Sequence, residues 1–165
     1  MSSVISEIPV VDGSVSSLRP PALWTKPAYA GTIEALEVKE RELAERLSGI
    51  AARFFRARFA TSLAAEDMVL TDAILRGSPA VRAGIRVFTL NTGRLHAETL
   101  AVLDKVETHY GYTIEQFTPD QEAVENYLKK NGLNAFYDSV DLRKSCCGIR
   151  KVEPLNRALS HADAW

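Results

Sequence analysis

Cysteine is nearly absent. The 165 residues hold two, and these are neighbours, Cys146 and Cys147. A fold stapled by disulfides is thereby excluded, because adjacent cysteines bond to each other only by straining the peptide between them. A reducing cytoplasm is the simpler setting. Charge of one sign is missing too. The formal net charge is −1 and the pI is near 6.3, so no strong field favours DNA, RNA or an anionic membrane. No apolar run approaches the roughly 18 residues that a membrane span needs. Residues 1–15 carry no basic segment ahead of a long apolar stretch, so no secretion signal is read there. Histidine is scarce: His96, His109 and His161 have no metal-ligand spacing with one another, and His109 reads as a helix-end residue favoured by the dipole. There is no Gly-x-Ser-x-Gly, no Walker A loop and no His-Glu-x-x-His, which removes three common hydrolase and nucleotide signatures.

What is present fits one globular domain, with 46% hydrophobic and 25% charged residues. Residues 1–30 are rich in Ser, Pro and Ala and read as an extended arm, with Pro20, Pro21 and Pro27 keeping it out of helix. Residues 31–165 read as an α/β domain. Leu36, Leu43, Leu47, Ile50 and Phe54 mark one apolar helix face. Phe59 to Leu63 predicts a short strand, Glu66 to Arg76 a helix, and Gly77-Ser78-Pro79 a break. Ile85 to Leu90 is a β-branched and aromatic strand. Ala97 to Tyr110 predicts a helix with Leu100, Leu103 and Val106 inward, closed by Gly111. Tyr112 to Phe117 predicts a third strand, and Thr118-Pro119-Asp120-Gln121 a capping box opening a helix to about Lys130. Gly132 to Tyr137 reads as loop, and Gly148 to Leu159 as a last helix carrying Val152, Leu155 and Leu159. Strands alternating with helices predict a parallel sheet wound by helices.

In an open α/β sheet, ligands bind beyond the carboxyl ends of the strands. Two loops lie at such ends. Ser62 to Asp67 leads from strand into helix, where amides and a serine hydroxyl attract anions. Glu66 and Asp67 would repel a phosphate unless a cation or the sugar side of a nucleotide takes them up. As first-turn acids they also simply favour the helix dipole, and the residues alone lean that way. Asn91 to His96 joins an amide, a hydroxyl, a glycine and the Arg94 guanidinium, which suits a nucleotide. An Asn/Gly turn with a solvated Arg94 explains it about as well. Cys146 and Cys147, followed by Arg150 and Lys151, suit a soft metal centre whose charge the two cations balance.

Together three segments resemble the sulfonucleotide reductases, the assimilatory adenylyl-sulfate and phosphoadenylyl-sulfate reductase family. They are Thr61-Ser62-Leu63-Ala64-Ala65-Glu66-Asp67-Met68-Val69-Leu70, then Val87 to Thr99 around Leu90-Asn91-Thr92-Gly93-Arg94, then Cys146-Cys147-Gly148-Ile149-Arg150-Lys151-Val152-Glu153-Pro154-Leu155. Asp163-Ala164-Trp165 looks like the start of the family's next strand. The resemblance runs from about residue 35 to the end. It implies a fold like the adenine nucleotide α-hydrolases with a modified pyrophosphate loop, here Ser62 to Asp67. Ala64 stands where glycine is usual, and a positive φ there would cost about 1 kcal/mol or more.

The resemblance further implies a substrate site of Ser62, Glu66, Asp67, Leu90, Thr92, Gly93, Arg94 and Arg150. Cys146 and Cys147 match the first two thiolate ligands of a 4Fe-4S cluster, and Lys151 would sit as a fixed cation between cluster and sulfate. The implied reaction reduces adenylyl sulfate, or phosphoadenylyl sulfate, to sulfite and AMP, or adenosine bisphosphate, with thioredoxin or glutaredoxin as donor. It serves sulfate assimilation and cysteine biosynthesis in the cytoplasm. The attacking cysteine of that reaction has no counterpart here, nor has the second cluster-binding pair, so the chain resembles the N-terminal portion of such an enzyme. A lone chain of this extent is expected to leave an open sheet edge and apolar surface, and so to be marginal, to form homo-oligomers or to borrow a partner. The alternative is a nucleotide-binding fragment without turnover. An ATP pyrophosphatase ranks lower, since Leu63, Ala64 and Asp67 break the Ser-Gly-Gly-x-Asp-Ser pattern of that class, and a zinc site has no supporting spacing.

Overall fold

The computed structural model describes residues 33–165, so the expected arm over residues 1–30 lies outside the described residues. Helix α1 (Ile33–Arg53) leads into strand β1 (Ala57–Ala60). Helices α2 (Ala65–Leu75) and α3 (Pro79–Gly84) return the chain to β2 (Ile85–Leu90). Helix α4 (Ala97–Tyr110) crosses to β3 (Glu115–Phe117), and α5 (Gln121–Asn131) follows. A short 3-10 turn (Ala135–Tyr137) precedes α6 (Val140–Cys147), a π-helical turn (Gly148–Val152) and α7 (Glu153–Leu159).

The three strands are parallel in the order β1-β2-β3, which is the wound α/β sheet the alternating pattern predicts. The central strand β2 buries Ile85, Val87, Phe88 and Thr89, as a parallel strand covered on both faces must. Ile85 and Val87 join Leu47, Ile74, Leu75, Val81, Leu103, Val106 and Ile114 in the main core. Phe88 meets the Phe117 ring edge-on at 5.6 Å. Arg58 lies over both rings, its Nη1 3.2 Å from Glu115 Oε2 as an ion pair without hydrogen-bond alignment. At the other edge, Ala164 pairs in parallel with Ala57, and the Asp163 carboxylate accepts from the amides of Phe55 and Arg56 at 3.1 and 2.9 Å. The last residues thus lie along β1, as the start of a further strand would.

Several boundaries differ from the sequence expectation, each for a local reason. β1 ends at Ala60 rather than running from Phe59 to Leu63, because Leu63 turns to φ 64 and leaves the strand geometry. β3 is shorter than Tyr112–Phe117: the Tyr112 hydroxyl accepts the Val87 amide at 3.2 Å, and Glu107 accepts the Ile114 amide at 2.8 Å. Those side chains take the place of a longer ladder. Ser78-Pro79 breaks α2 as expected and also starts α3, with Ser78 capping Val81 and Pro79 in the first turn. The cap of α5 is Asp120, accepting from Ala123 at 2.8 Å, so Thr118 is not the capping residue. Helix α6, capped by Ser139, falls where the sequence pattern showed no helix. Leu103 and Val106 of α4 are buried, but Leu100 is exposed; Gly111 closes the helix at φ 54. On α1, Leu47 is buried while Leu36 and Ile50 stay exposed, so that apolar face is only partly covered.

Candidate nucleotide site

A cleft of about 250 Å³ opens beyond the carboxyl ends of β1 and β2. Ser62 and Asp67 line it from the first loop, Leu90 from the end of β2, Thr92 from the second loop, and Lys151 from the π-helical turn. Sequence reasoning missed four further lining residues, Ala60, Thr61, Thr89 and Leu95. Thr61 and Thr89 carried a signal: each is a hydroxyl where a buried strand ends. Both are 3% exposed.

The first loop is closed by its own side chains. Asp67 Oδ2 accepts from the Ser62 amide at 2.7 Å and from the Ser62 hydroxyl at 2.6 Å. With its proton committed to Asp67, the Ser62 hydroxyl turns its lone pairs outward, and one already takes the Ala64 amide at 3.3 Å. The buried Thr61 hydroxyl accepts from the Leu63 amide at 3.1 Å. The positive φ falls on Leu63, whereas Ala64 sits at φ −75, so the anticipated strain at Ala64 is absent. A left-handed leucine costs about 1–2 kcal/mol. Burial of its side chain in the core returns about 1.5–3 kcal/mol, which explains why a non-glycine residue holds the conformation. Glu66 is exposed and does not line the cleft.

The second loop is held from outside. Arg94 points away from the cleft: Nη1 donates to the Leu133 carbonyl at 2.9 Å, Nη2 to Asn134 Oδ1 at 3.3 Å, and the guanidinium stacks 4.7 Å from the Phe136 ring. Arg150 donates from Nη1 to the Thr92 carbonyl at 2.7 Å. Gly93, Arg94 and Arg150 line a separate cavity of about 710 Å³ across the Thr92–Gly93 ridge. Of the residues expected to meet substrate, these three and Glu66 therefore do not share the cleft with Ser62, Asp67, Leu90, Thr92 and Lys151.

Helices α6 and α7 are joined by a π-helical turn, and the reason is Pro154. Proline has no N–H for the carbonyl four residues back and its ring crowds that carbonyl. The turn widens instead, and the Glu153 amide reaches the Gly148 carbonyl five residues back. Within this turn Arg150 is buried and Lys151 faces the cleft. Cys146, buried, and Cys147, half-buried, end the helix just before it. Cys146 packs with Tyr127 and Ala135 in a small second core. The Tyr127 phenol donates to the Leu142 carbonyl at 3.1 Å; burial raises its pKa above the ordinary value, and the neighbouring Cys146 acts in the same direction.

Residues 56–165 match the model of the phosphoadenosine phosphosulfate reductase domain. The chain belongs to this family. Relatives named adenosine 5'-phosphosulfate reductase include one from Burkholderia cepacia, 58% identical over 131 residues, covering 79% of this chain and 50% of the relative. One from Neisseria meningitidis serogroup A is 49% identical over 147 residues, covering 88% of this chain and 59% of the relative. One from Allochromatium vinosum is 47% identical over 132 residues, covering 80% and 50%. The chain thus spans between half and three fifths of the length of these curated relatives.

The thiols of Cys146 and Cys147 suit an iron–sulfur cluster in type, and two cations stand close by in sequence. They do not make a complete site: among the described residues no third His, Cys, Asp or Glu joins them. Among the described residues, no helix is long and apolar enough to cross a membrane.

Proposed function

We propose that this chain carries the nucleotide-binding part of an assimilatory reductase that converts adenylyl sulfate to sulfite and AMP. The observation that carries the reading is the convergence of Lys151 with the loops after β1 and β2 on one cleft. An ammonium group lining a largely apolar cleft that also holds acceptors at Ser62 and Asp67 suits a ligand with a flat base, a donor-rich sugar and an anionic tail. The relatives are named as reductases of adenosine 5'-phosphosulfate, which favours adenylyl sulfate over its 3′-phosphorylated form.

In this reading Leu90 and Thr92 flank the nucleoside, Ser62 and Asp67 offer acceptors to its hydroxyl or amine donors, and Lys151 faces the sulfate. The overall change takes sulfur from the sulfate to the sulfite level. Two electrons come from a dithiol such as thioredoxin, which leaves as a disulfide, and AMP departs with the bond to sulfur broken. Cys146 and Cys147 would serve as two ligands of a 4Fe-4S cluster rather than as nucleophiles, and the remaining ligands and the attacking thiol would come from outside these 165 residues. The setting is the cytoplasm, in cysteine biosynthesis.

The test supplies adenylyl sulfate and reduced thioredoxin and measures sulfite and AMP, with nucleotide binding measured by calorimetry on the same sample. Turnover supports the reductase reading. Binding without sulfite supports a second reading, a nucleotide-binding unit without turnover. Failure to bind adenylyl sulfate or AMP would sink both.

A further inference from the structure

Arg150 is 9% exposed, and among the described residues no carboxylate pairs with it. A buried cation without an acidic partner is costly, so what it touches is informative. Its hydrogen bond goes to a neutral acceptor, the Thr92 carbonyl at 2.7 Å. The next residue is Gly93, at φ +69, where a side chain is strained and a Cβ would stand 3.3 Å from Arg150 Nη1. Glycine at this position therefore serves the guanidinium as well as the turn. The Thr92 and Leu90 side of the ridge lines the nucleotide cleft, while Arg150 lines the cavity behind it.

Resting on the nucleotide-site reading above, we infer that Arg150 is a positioning residue that holds the Thr92–Gly93 ridge against the nucleoside and does not touch the anionic end of the ligand. Lys151, the next residue in the widened turn, lines the cleft directly. The two adjacent cations thus divide the work: one fixes a wall of the site and the other meets the ligand's charge. The sequence reads Arg150 as a substrate contact and Lys151 as a cation between cluster and sulfate; only Lys151 lines the cleft.

The division is testable with two probes that share the nucleoside and differ in the anionic 5′-phosphate, adenosine and AMP, titrated calorimetrically into the protein. A wall-setting residue affects both alike. Arg150→Ala is expected to weaken adenosine and AMP by the same factor, about tenfold or more for loss of a buried charged donor. Arg150→Lys restores part of that loss, since one ammonium donor can still reach the carbonyl. Gly93→Ala should copy the signature, and its combination with Arg150→Ala should lose less than the product of the two, because both act on one ridge. Lys151→Ala, in contrast, should weaken AMP and spare adenosine.

A loss confined to AMP in Arg150→Ala would make Arg150 a direct anion ligand and overturn the inference. So would wild-type affinity for both probes in a folded Arg150→Ala. If that variant does not fold, Arg150→Lys and Gly93→Ala carry the same comparison. A wild-type protein that binds neither probe would fell the nucleotide-site reading itself, and this inference with it.

Discussion

The loops after β1 and β2 face one cleft, yet they are built by opposite means. Residues 61–67 are tied within themselves: Asp67 grips the amide and hydroxyl of Ser62, Thr61 takes the Leu63 amide, and the Leu63 side chain anchors the turn in the core. Residues 91–96 have short turns of their own, with Asn91 accepting from Gly93 and Thr92 from Arg94. Their position is set from distant chain, by Arg150 under Thr92 and by Leu133, Asn134 and Phe136 around Arg94. The contrast teaches that the first loop is anchored in the main core, and the second to residues beside the smaller core that holds Cys146. One wall of the site belongs to the sheet, and the other is coupled to the helical run that carries the thiols.

The largest effect should come from cutting the first loop's anchor. Leu63→Ala is expected to cost about 2–5 kcal/mol in urea unfolding. Leu63→Gly should be the more stable of the two by about 1 kcal/mol, reversing their usual order, because glycine carries no penalty at positive φ. The usual order at this position would break the account of the loop. Next, Asp67→Ala should cost about 0.5–1.5 kcal/mol by removing the acceptor of both Ser62 donors, which water can then reach. Hydrogen exchange of the Ser62 amide should quicken while that of Thr92 stays unchanged; a joint change would mean the loops are not independent.

On the second loop, Arg94→Met should cost only about 0.5–1 kcal/mol, since its stacking and hydrogen bonds are exposed. An effect on the melt equal to that of Leu63→Ala would erase the contrast. The smallest effect concerns the tie between the helices that follow the loops. Tyr110 of α4 donates to Asp72 of α2 at 2.6 Å. Burial first, and this bond second, raise the phenol above its ordinary value. The unfolded phenol therefore loses its proton first, and stability present below about pH 10 is lost as pH rises towards the raised value. Tyr110→Phe should flatten that alkaline fall; an unchanged slope between wild type and variant would contradict it.

The legible parts of the molecule were those written in adjacent residues. β2 announced itself by its β-branched run, α4 by its periodicity and its glycine stop, and the two strand-end loops by polar clusters after apolar runs. The illegible parts depended on groups far away in sequence. The ends of β1 and β3 are decided by Leu63 entering the core and by the Tyr112 hydroxyl taking a strand amide. Ser78-Pro79 reads equally as a stop and as a start, and only the space beside α1 and β2 makes it a start. Arg94 looks like a ligand residue until the backbone of residues 133 and 134 appears beside it.

By itself the sequence determined the class of fold, the family and the short list of residues near the site, because these rest on local periodicity and contiguous motifs. Tertiary structure alone decided which of those residues share the cleft. Arg150 and Lys151 are neighbours in the chain, yet Pro154 denies the helix a regular hydrogen bond and the widened turn sends one inward to Thr92 and the other to the cleft. Chain adjacency cannot specify such a parting, since side-chain direction follows from the turn geometry and from what each cation finds within hydrogen-bonding reach.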